Sequence, residues 1–473
     1  MDADHTRVPY LDNIRNVLVY NVVLLHILQM FAYPLLFWWA VTDKKGSSRF
    51  YETSLAPMDV YLMPCLLFIA ALFIFPSLKK NTPLEYLKKR FLRLCIPAVV
   101  FLFCAGDIFF QLLLNRLNPV PQVYWDTFLN YWRAFADLPA IYLSMSQKTL
   151  NTITFNMQHV WFLTLLFFIT GVVILLTLPF KEKNSGPVKV DGRKTIIVKT
   201  ILFAAASSIV CAAGMICCVR HGIDFGAWLI IGKVAQVQIG KIPILLLLFL
   251  FGLYMYKKEW LTRGDIGSWK IWGVMALILI GIYAFLFHTG ILPALDEILK
   301  AVDQNMQSVD QMAIPAITDS LRFAFLCTWI LSPPICIFLL MFFLSFAKRF
   351  FNKTSSVTTF CSKHSINVYV LHYIPVLLLQ YTFLNVPIPS MIKIILMVII
   401  IIPACLWLSH RLVYPYPKIA IGFFVALKLA ALVAGFTFYY FALLALIGIS
   451  FAGAVYEAAR YMANRKAHVE NAT

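Results

Sequence analysis

Apolar runs long enough to cross a bilayer recur along most of the chain, separated by short polar stretches. A crossing needs about 20 predominantly apolar residues. Runs of that order occupy 17–38, 58–75, 94–114, 160–178, 195–219, 237–256, 271–287, 323–346, 366–384 and 392–408. A further stretch, 419–456, is too long for one crossing and weakens near Tyr439 and Tyr440, which favours two more helices; one long or re-entrant element is the alternative. The pattern predicts an all-α, polytopic transmembrane helical bundle: ten core spans plus a C-terminal apolar extension, about twelve helices. It divides into a membrane domain over 1–418, additional transmembrane helices over 419–457 and a basic tail over 458–473. The first run is too long for the apolar region of a cleaved signal peptide, and no small-residue cleavage site follows it, so it is expected to remain as the first span.

Composition agrees. Hydrophobic residues make up 61% of the 473 and charged residues 13%, where an ordinary soluble domain is about a quarter charged. The net charge of +18 raises the question of a nucleic-acid partner. Its distribution answers it. Alternate connections, "PSLKKNTPLEYLKKRFLR", "KEKNSGPVKVDGRKTIIVK", "KKEWLTRGDIGSWK" and "AKRFFNKTSSVTTFCSK", hold 6, 6, 4 and 4 Lys or Arg, whereas 40–57 and 116–156 hold 3 each. This is the bias that places basic loops on the cytoplasmic side. It predicts a multi-pass protein of the cell membrane with a cytoplasmic N-terminus and tail, and no nucleic-acid role. The ten cysteines are scattered, most of them within apolar runs, without metal-ligand spacing; they read as small reduced core residues, and no metal is expected.

Ionisable residues inside a membrane are costly and default to functional candidates. His26, Asp107, His288 and His372 fall within or at the end of apolar runs. The first helix, in "LDNIRNVLVYNVVLLHILQM", also carries Arg15, eleven residues before His26. Eleven steps are within ~20° of three full turns, so Arg15 and His26 share a face about 16 Å apart along the axis. Gln29 continues that stripe, and a polar seam of this kind must face protein or water. Arg90 and Arg93 share a face at the start of the third span. Paired guanidiniums suit phosphate, whose oxygens they bind bidentately; anchoring to lipid headgroups is the plainer reading. His159 and Trp161 open the fourth span in "MQHVWFLTLLFF", where an interfacial aromatic belt is the alternative.

Four blocks taken in order carry a family resemblance: "YLDNIRNVLVYNVVLLH", an Arg-x10-His; "KKRFLRLCIP", an Arg-x-x-Arg before a proline; "HVWFLTLLFF"; and "SINVYVLHYIPVLL", a Tyr-x-x-His helix with Tyr369 and His372. In this the chain resembles the acyltransferase-3 family of membrane O-acyltransferases, most closely its glucan-modifying, succinyltransferase-like branch. The resemblance implies an acyltransferase domain over the core spans, with His26 as the catalytic histidine and Arg15 as its partner in the motif. It implies that Arg90 and Arg93 serve a cytosolic acyl-CoA co-substrate, acetyl-CoA or succinyl-CoA. The acceptor is then a hydroxyl of a cell-envelope or extracytoplasmic carbohydrate, with His159, Trp161, Tyr369 and His372 as candidates for holding substrate. His26 acts either as general base or as the acyl carrier itself. Asp107, from its depth alone, is the candidate acid that orients His26. The loop containing "VYWDTFLNYWRAF" is a candidate acceptor platform, an interfacial loop being the alternative. Two departures stand out: Ala70-Ala71 where the family has Ser-Gly, and "YPYP" at 414–417 where it has Glu-x-Pro. The competing function is a transporter of a polar or anionic solute that uses the intramembrane His and Asp residues, though the two related halves common in such proteins are not evident.

Overall fold

A computed structural model describes residues 8–33, 39–118, 120, 122–144, 155–177, 190–223, 226–294, 296 and 319–470. Residues 34–38 and 178 of the expected first and fourth spans, much of the basic loop before 190, and 471–473 of the tail lie outside the described residues. Among the described residues, eleven helices are long and apolar enough to cross a membrane: Pro9–Phe31, Arg49–Leu78, Pro83–Leu117, Gln158–Leu176, Arg193–Arg220, Ile239–Lys257, Trp269–Ala294, Leu326–Phe350, Ser390–Val413, Pro417–Ala434 and Phe436–Asn464. A bent pair, Ser356–Leu371 and Tyr373–Phe383, forms a twelfth between the eighth and the tenth. Counting that pair as one span, the described residues form a polytopic helical bundle of twelve spans, numbered here in chain order. Alternation returns the chain to its starting face, so the two ends of the described chain lie on the same side.

The apolar runs locate the core spans, and most helices extend beyond them, but the first is displaced toward the N-terminus, at Pro9–Phe31 where the run is 17–38. The first helix begins at Pro9, because proline at a first helical turn loses no hydrogen bond it would otherwise make. His26, expected mid-helix, therefore lies close to the C-terminal end at Leu28. The apolar extension breaks at Gly435, with φ 89°, and not at Tyr439 and Tyr440. Glycine adopts that conformation without the penalty a Cβ imposes.

The first span packs on the second, eighth, ninth and tenth, and its inner face, including Leu18, Val22, Val23 and Ile27, is buried. The fifth, seventh, eleventh and twelfth are peripheral, and keep large apolar side chains such as Leu202, Ile209, Leu277 and Val433 on the outside. That is the expected surface of a protein whose solvent is lipid.

The face where the first span ends carries the remaining structure. Helix Tyr124–Ala136 lies there with Tyr124, Thr127 and Tyr131 buried. So does a small antiparallel sheet in which β1 (Ile141–Ser144) pairs with β2 (Trp228–Ile231) and β2 with β3 (Ala235–Gln238). Ile141 faces Ile231, and Trp228 faces Gln238. The sheet joins two connections that are distant in sequence, and the Gln236 side chain accepts from the Met157 amide at 2.8 Å, tying β3 to the start of the fourth span.

Candidate active site

The first helix carries one polar centre at each end. Near its N-terminal end, Asp12, Arg15, Phe73, Arg93, Ser362 and Lys363 line a cavity of about 390 Å³. Arg15 is fixed there by an ion pair with Asp12 at 3.0 Å and by donation to the Ser362 carbonyl at 3.1 Å. Asn16 donates to the Ser362 hydroxyl at 2.9 Å, so the first and ninth spans are joined at this level.

Arg93 reaches the same cavity through an irregularity in its own helix. Residues Phe91–Cys95 form a π-turn. Pro97 has no N–H for the Arg93 carbonyl four residues earlier, and such insertions re-aim side chains next to functional sites. Arg93 stands in the electrostatic field of both Arg15 and Arg90. Arg90 itself is engaged elsewhere: its Nε donates to the Tyr86 hydroxyl at 2.9 Å, and its guanidinium stands over the Tyr86 ring at 5.1 Å. The cavity thus gathers Arg15, Arg93 and Lys363 against the single carboxylate of Asp12. Such a surplus of positive charge recognises an anion.

At the other end, three histidines from three spans meet. The His26 ring lies 5.3 Å from that of His372 and 6.3 Å from that of His159, and the latter two are 4.9 Å apart. Tyr373 and Trp39 close the group: Tyr373 stacks on His159 at 4.7 Å and stands edge-on to His26 at 5.3 Å, and Trp39 stacks on His26 at 6.0 Å. His159 and His372 are buried, 4% and 0% exposed, while His26 keeps accessible surface. The bend of 58° in the ninth span brings His372 inward. Pro375 just beyond it deprives the Leu371 carbonyl of its helical partner, a known cause of kinks.

The tautomer of each ring is assigned from the oxygen it faces, a backbone carbonyl for His159 and His372 and the carboxamide oxygen for His26. His26 Nδ1–H donates to Gln29 Oε1 at 2.7 Å, and His372 Nδ1–H to the Tyr369 carbonyl at 2.8 Å. His159 Nε2–H donates to the Val370 carbonyl at 3.1 Å. His26 Nε2, His159 Nδ1 and His372 Nε2 therefore carry lone pairs. Among the described residues the latter two nitrogens have no hydrogen-bond partner, and no set of His, Cys, Asp or Glu converges as a metal site.

The structure corrects the expected neighbour of His26. Asp107 is bound to Lys428 of the eleventh span at 2.6 Å, with the pair 1% and 0% exposed, and Lys428 also donates to the Tyr124 hydroxyl at 2.6 Å. The group that orients His26 is Gln29. Tyr369 is a brace: its hydroxyl donates to the His159 carbonyl at 2.6 Å. Trp161 packs edge-on to Trp228 of β2 at 5.5 Å, beneath the sheet. His288 is exposed on a separate π-turn, Phe287–Ile291, and does not join the cluster. Trp39, Gln158, Lys363, Tyr373 and Gln380 went unread as site residues in the sequence. Gln158 and Tyr373 had a signal, since each adjoins a candidate histidine; Lys363 also lies in the ninth-span segment, nine residues before His372.

A family model described as Acyltransferase domain matches residues 8–410, a stretch that contains both centres and stops before the eleventh span. No curated protein and no solved structure matches the chain closely enough to count as a relative.

Proposed function

The chain belongs to the acyltransferase-3 family and is an acyltransferase, and on that premise we propose that it moves an acetyl or succinyl group from cytosolic acyl-CoA to a carbohydrate hydroxyl at the opposite face of the membrane. One observation carries the reading: a single helix joins a cation-lined cavity at one end to a histidine with a free lone pair near the other. A coenzyme A thioester has the matching shape, with phosphates at one end of a long arm and the reactive carbonyl at the other. Arg15, Arg93 and Lys363 hold the phosphates by charge-assisted hydrogen bonds. The arm runs along the first helix and presents the carbonyl to the histidine cluster.

There His26 Nε2 takes the proton of the acceptor hydroxyl, while Gln29 on Nδ1–H stabilises the imidazolium that forms, the role an acid plays in hydrolase triads. The acceptor enters from the face that carries helix Tyr124–Ala136, whose Trp125 is 46% exposed and offers an aromatic surface to a sugar ring. The distribution of Lys and Arg supports a cytosolic N-terminal face. The glucan-modifying branch is the acceptor class we favour.

Membrane vesicles of known orientation, given labelled acetyl-CoA or succinyl-CoA with a glucan, test this. Wild-type protein is expected to release free coenzyme A when the N-terminal face is accessible, and His26→Ala to do so about 10²–10⁴-fold more slowly. Equal turnover by His26→Ala overturns the mechanism. Turnover only from the other face overturns the orientation.

A further inference from the structure

Around the histidine cluster nearly every hydrogen-bond donor is committed to a protein partner. Trp39 Nε1 donates to Gln380 Oε1 at 2.9 Å, Gln380 Nε2 to the His26 carbonyl at 2.8 Å, and the Tyr373 hydroxyl to Gln158 Oε1 at 2.8 Å. Because the carboxamide oxygen of Gln158 is the atom taken, its Nε2 is left as a donor. The residue is 8% exposed, and among the described residues Nε2 has no partner. Buried donors are rarely orphaned, and each such group asks for a physical reason.

Its backbone asks for one too. Gln158 has φ 49°, a left-handed conformation that non-glycine residues seldom adopt. It is maintained from both sides: the Gln158 amide donates to Asn156 Oδ1 at 2.8 Å, and the preceding Met157 amide to Gln236 of β3. Backbone kept in such a state by its surroundings is concentrated at active sites. The next residue is His159, and the Tyr373 ring that pins the Gln158 amide borders both His159 and His26.

We propose that Gln158 is the oxyanion donor of the transfer step, its Nε2–H holding the thioester carbonyl oxygen as negative charge develops there. This rests on the reading of His26 as base. In the step, the acceptor oxygen forms a bond to the acyl carbon as its proton passes to His26 Nε2, and the carbonyl π pair moves onto the carbonyl oxygen, where Gln158 meets it. Collapse re-forms the C=O bond and breaks the C–S bond. The departing coenzyme A thiolate takes the proton from His26, leaving an ester, free coenzyme A and neutral imidazole. His26 Nε2 offers the acceptor a lone pair and no donor, which leaves the Gln158 amide as the complementary donor. Preorganised donors of this kind act on the transition state more than on the bound substrate.

Gln158→Met tests the assignment, since it keeps the length of the side chain and removes the donor without supplying a carboxyl group that burial would hold protonated. With acetyl-CoA or succinyl-CoA, whichever the wild type consumes, kcat is expected to fall about 10²–10³-fold while the donor KM stays within about twofold. A kcat within about threefold of wild type, or a loss confined to KM, overturns the proposal. Thermal unfolding in detergent checks that the variant is folded. If it is not, Tyr373→Phe decides, because it releases the amide without removing it: a fall in kcat of roughly 5–50-fold at unchanged KM is expected, and an unchanged kcat overturns the proposal. An inactive His26→Ala beside a fully active Gln158→Met sinks this inference alone; an active His26→Ala sinks the reading beneath it.

Discussion

Arg90 and Arg93 are three positions apart and chemically identical, yet only Arg93 lines the cavity, while Arg90 is occupied by the hydroxyl and ring of Tyr86. Hydrogen bonds to charged groups contribute about 1.5–3 kcal/mol each. Arg93→Gln and Lys363→Gln are therefore expected to raise the donor KM about tenfold or more, and Arg90→Gln less than about threefold, in steady-state assays of coenzyme A release. The line from Arg15 to His26 was legible because both lie on one helix, where period alone fixes relative position. Asp107 misled because depth in a bilayer gives height but not direction around the bundle. Its partner Lys428 lies 321 residues later, in a stretch read only as apolar. Gln158 escaped notice because its distinguishing features are a backbone angle and an unfilled hydrogen bond, and neither is written in residue type.

At the scale of the element, the site depends on places where helices depart from regularity. The π-turn at Phe91–Cys95 sets the direction of Arg93, and Pro97 frees the carbonyl behind it. Pro97→Ala restores that donor and favours an unbroken α-helix, in which positions before the turn rotate by about 100° relative to those after it. The expected result is a donor KM raised to the level of Arg93→Gln in a protein that melts no lower than wild type, measured by turnover and thermal unfolding together. Sequence pattern located the ten core spans, because twenty apolar residues in a row have one economical solution in lipid. It placed ends and breaks less well. Gly435 carries the break that the weaker apolarity near Tyr439 and Tyr440 suggested four residues later, and the strands, four residues each, are too short to show a period.

At the scale of the whole molecule, the extension beyond the matched domain is fastened to the bundle through charge. Lys428 enters between Tyr124 and Phe128 to meet Asp107, and Tyr439 donates to the Cys104 carbonyl at 2.6 Å. Removing one member of a buried pair leaves the other uncompensated, at about 3–5 kcal/mol, whereas replacing both is often nearly neutral. Lys428→Met is thus expected to lower the unfolding midpoint in detergent sharply, and Asp107→Asn with Lys428→Met to recover most of it. No loss with Lys428→Met would mean that the extension is held by apolar contact alone, and failure of the double variant to recover would mean that the pair itself contributes net stability. The same pair imposes an order on synthesis. At roughly 5–20 residues per second, the 321 residues between Asp107 and Lys428 take about 15–65 s to emerge from the ribosome. Through that interval the third span waits in the bilayer with a carboxyl group that has no ammonium to meet, and the bundle is completed only when almost the last of its helices arrives.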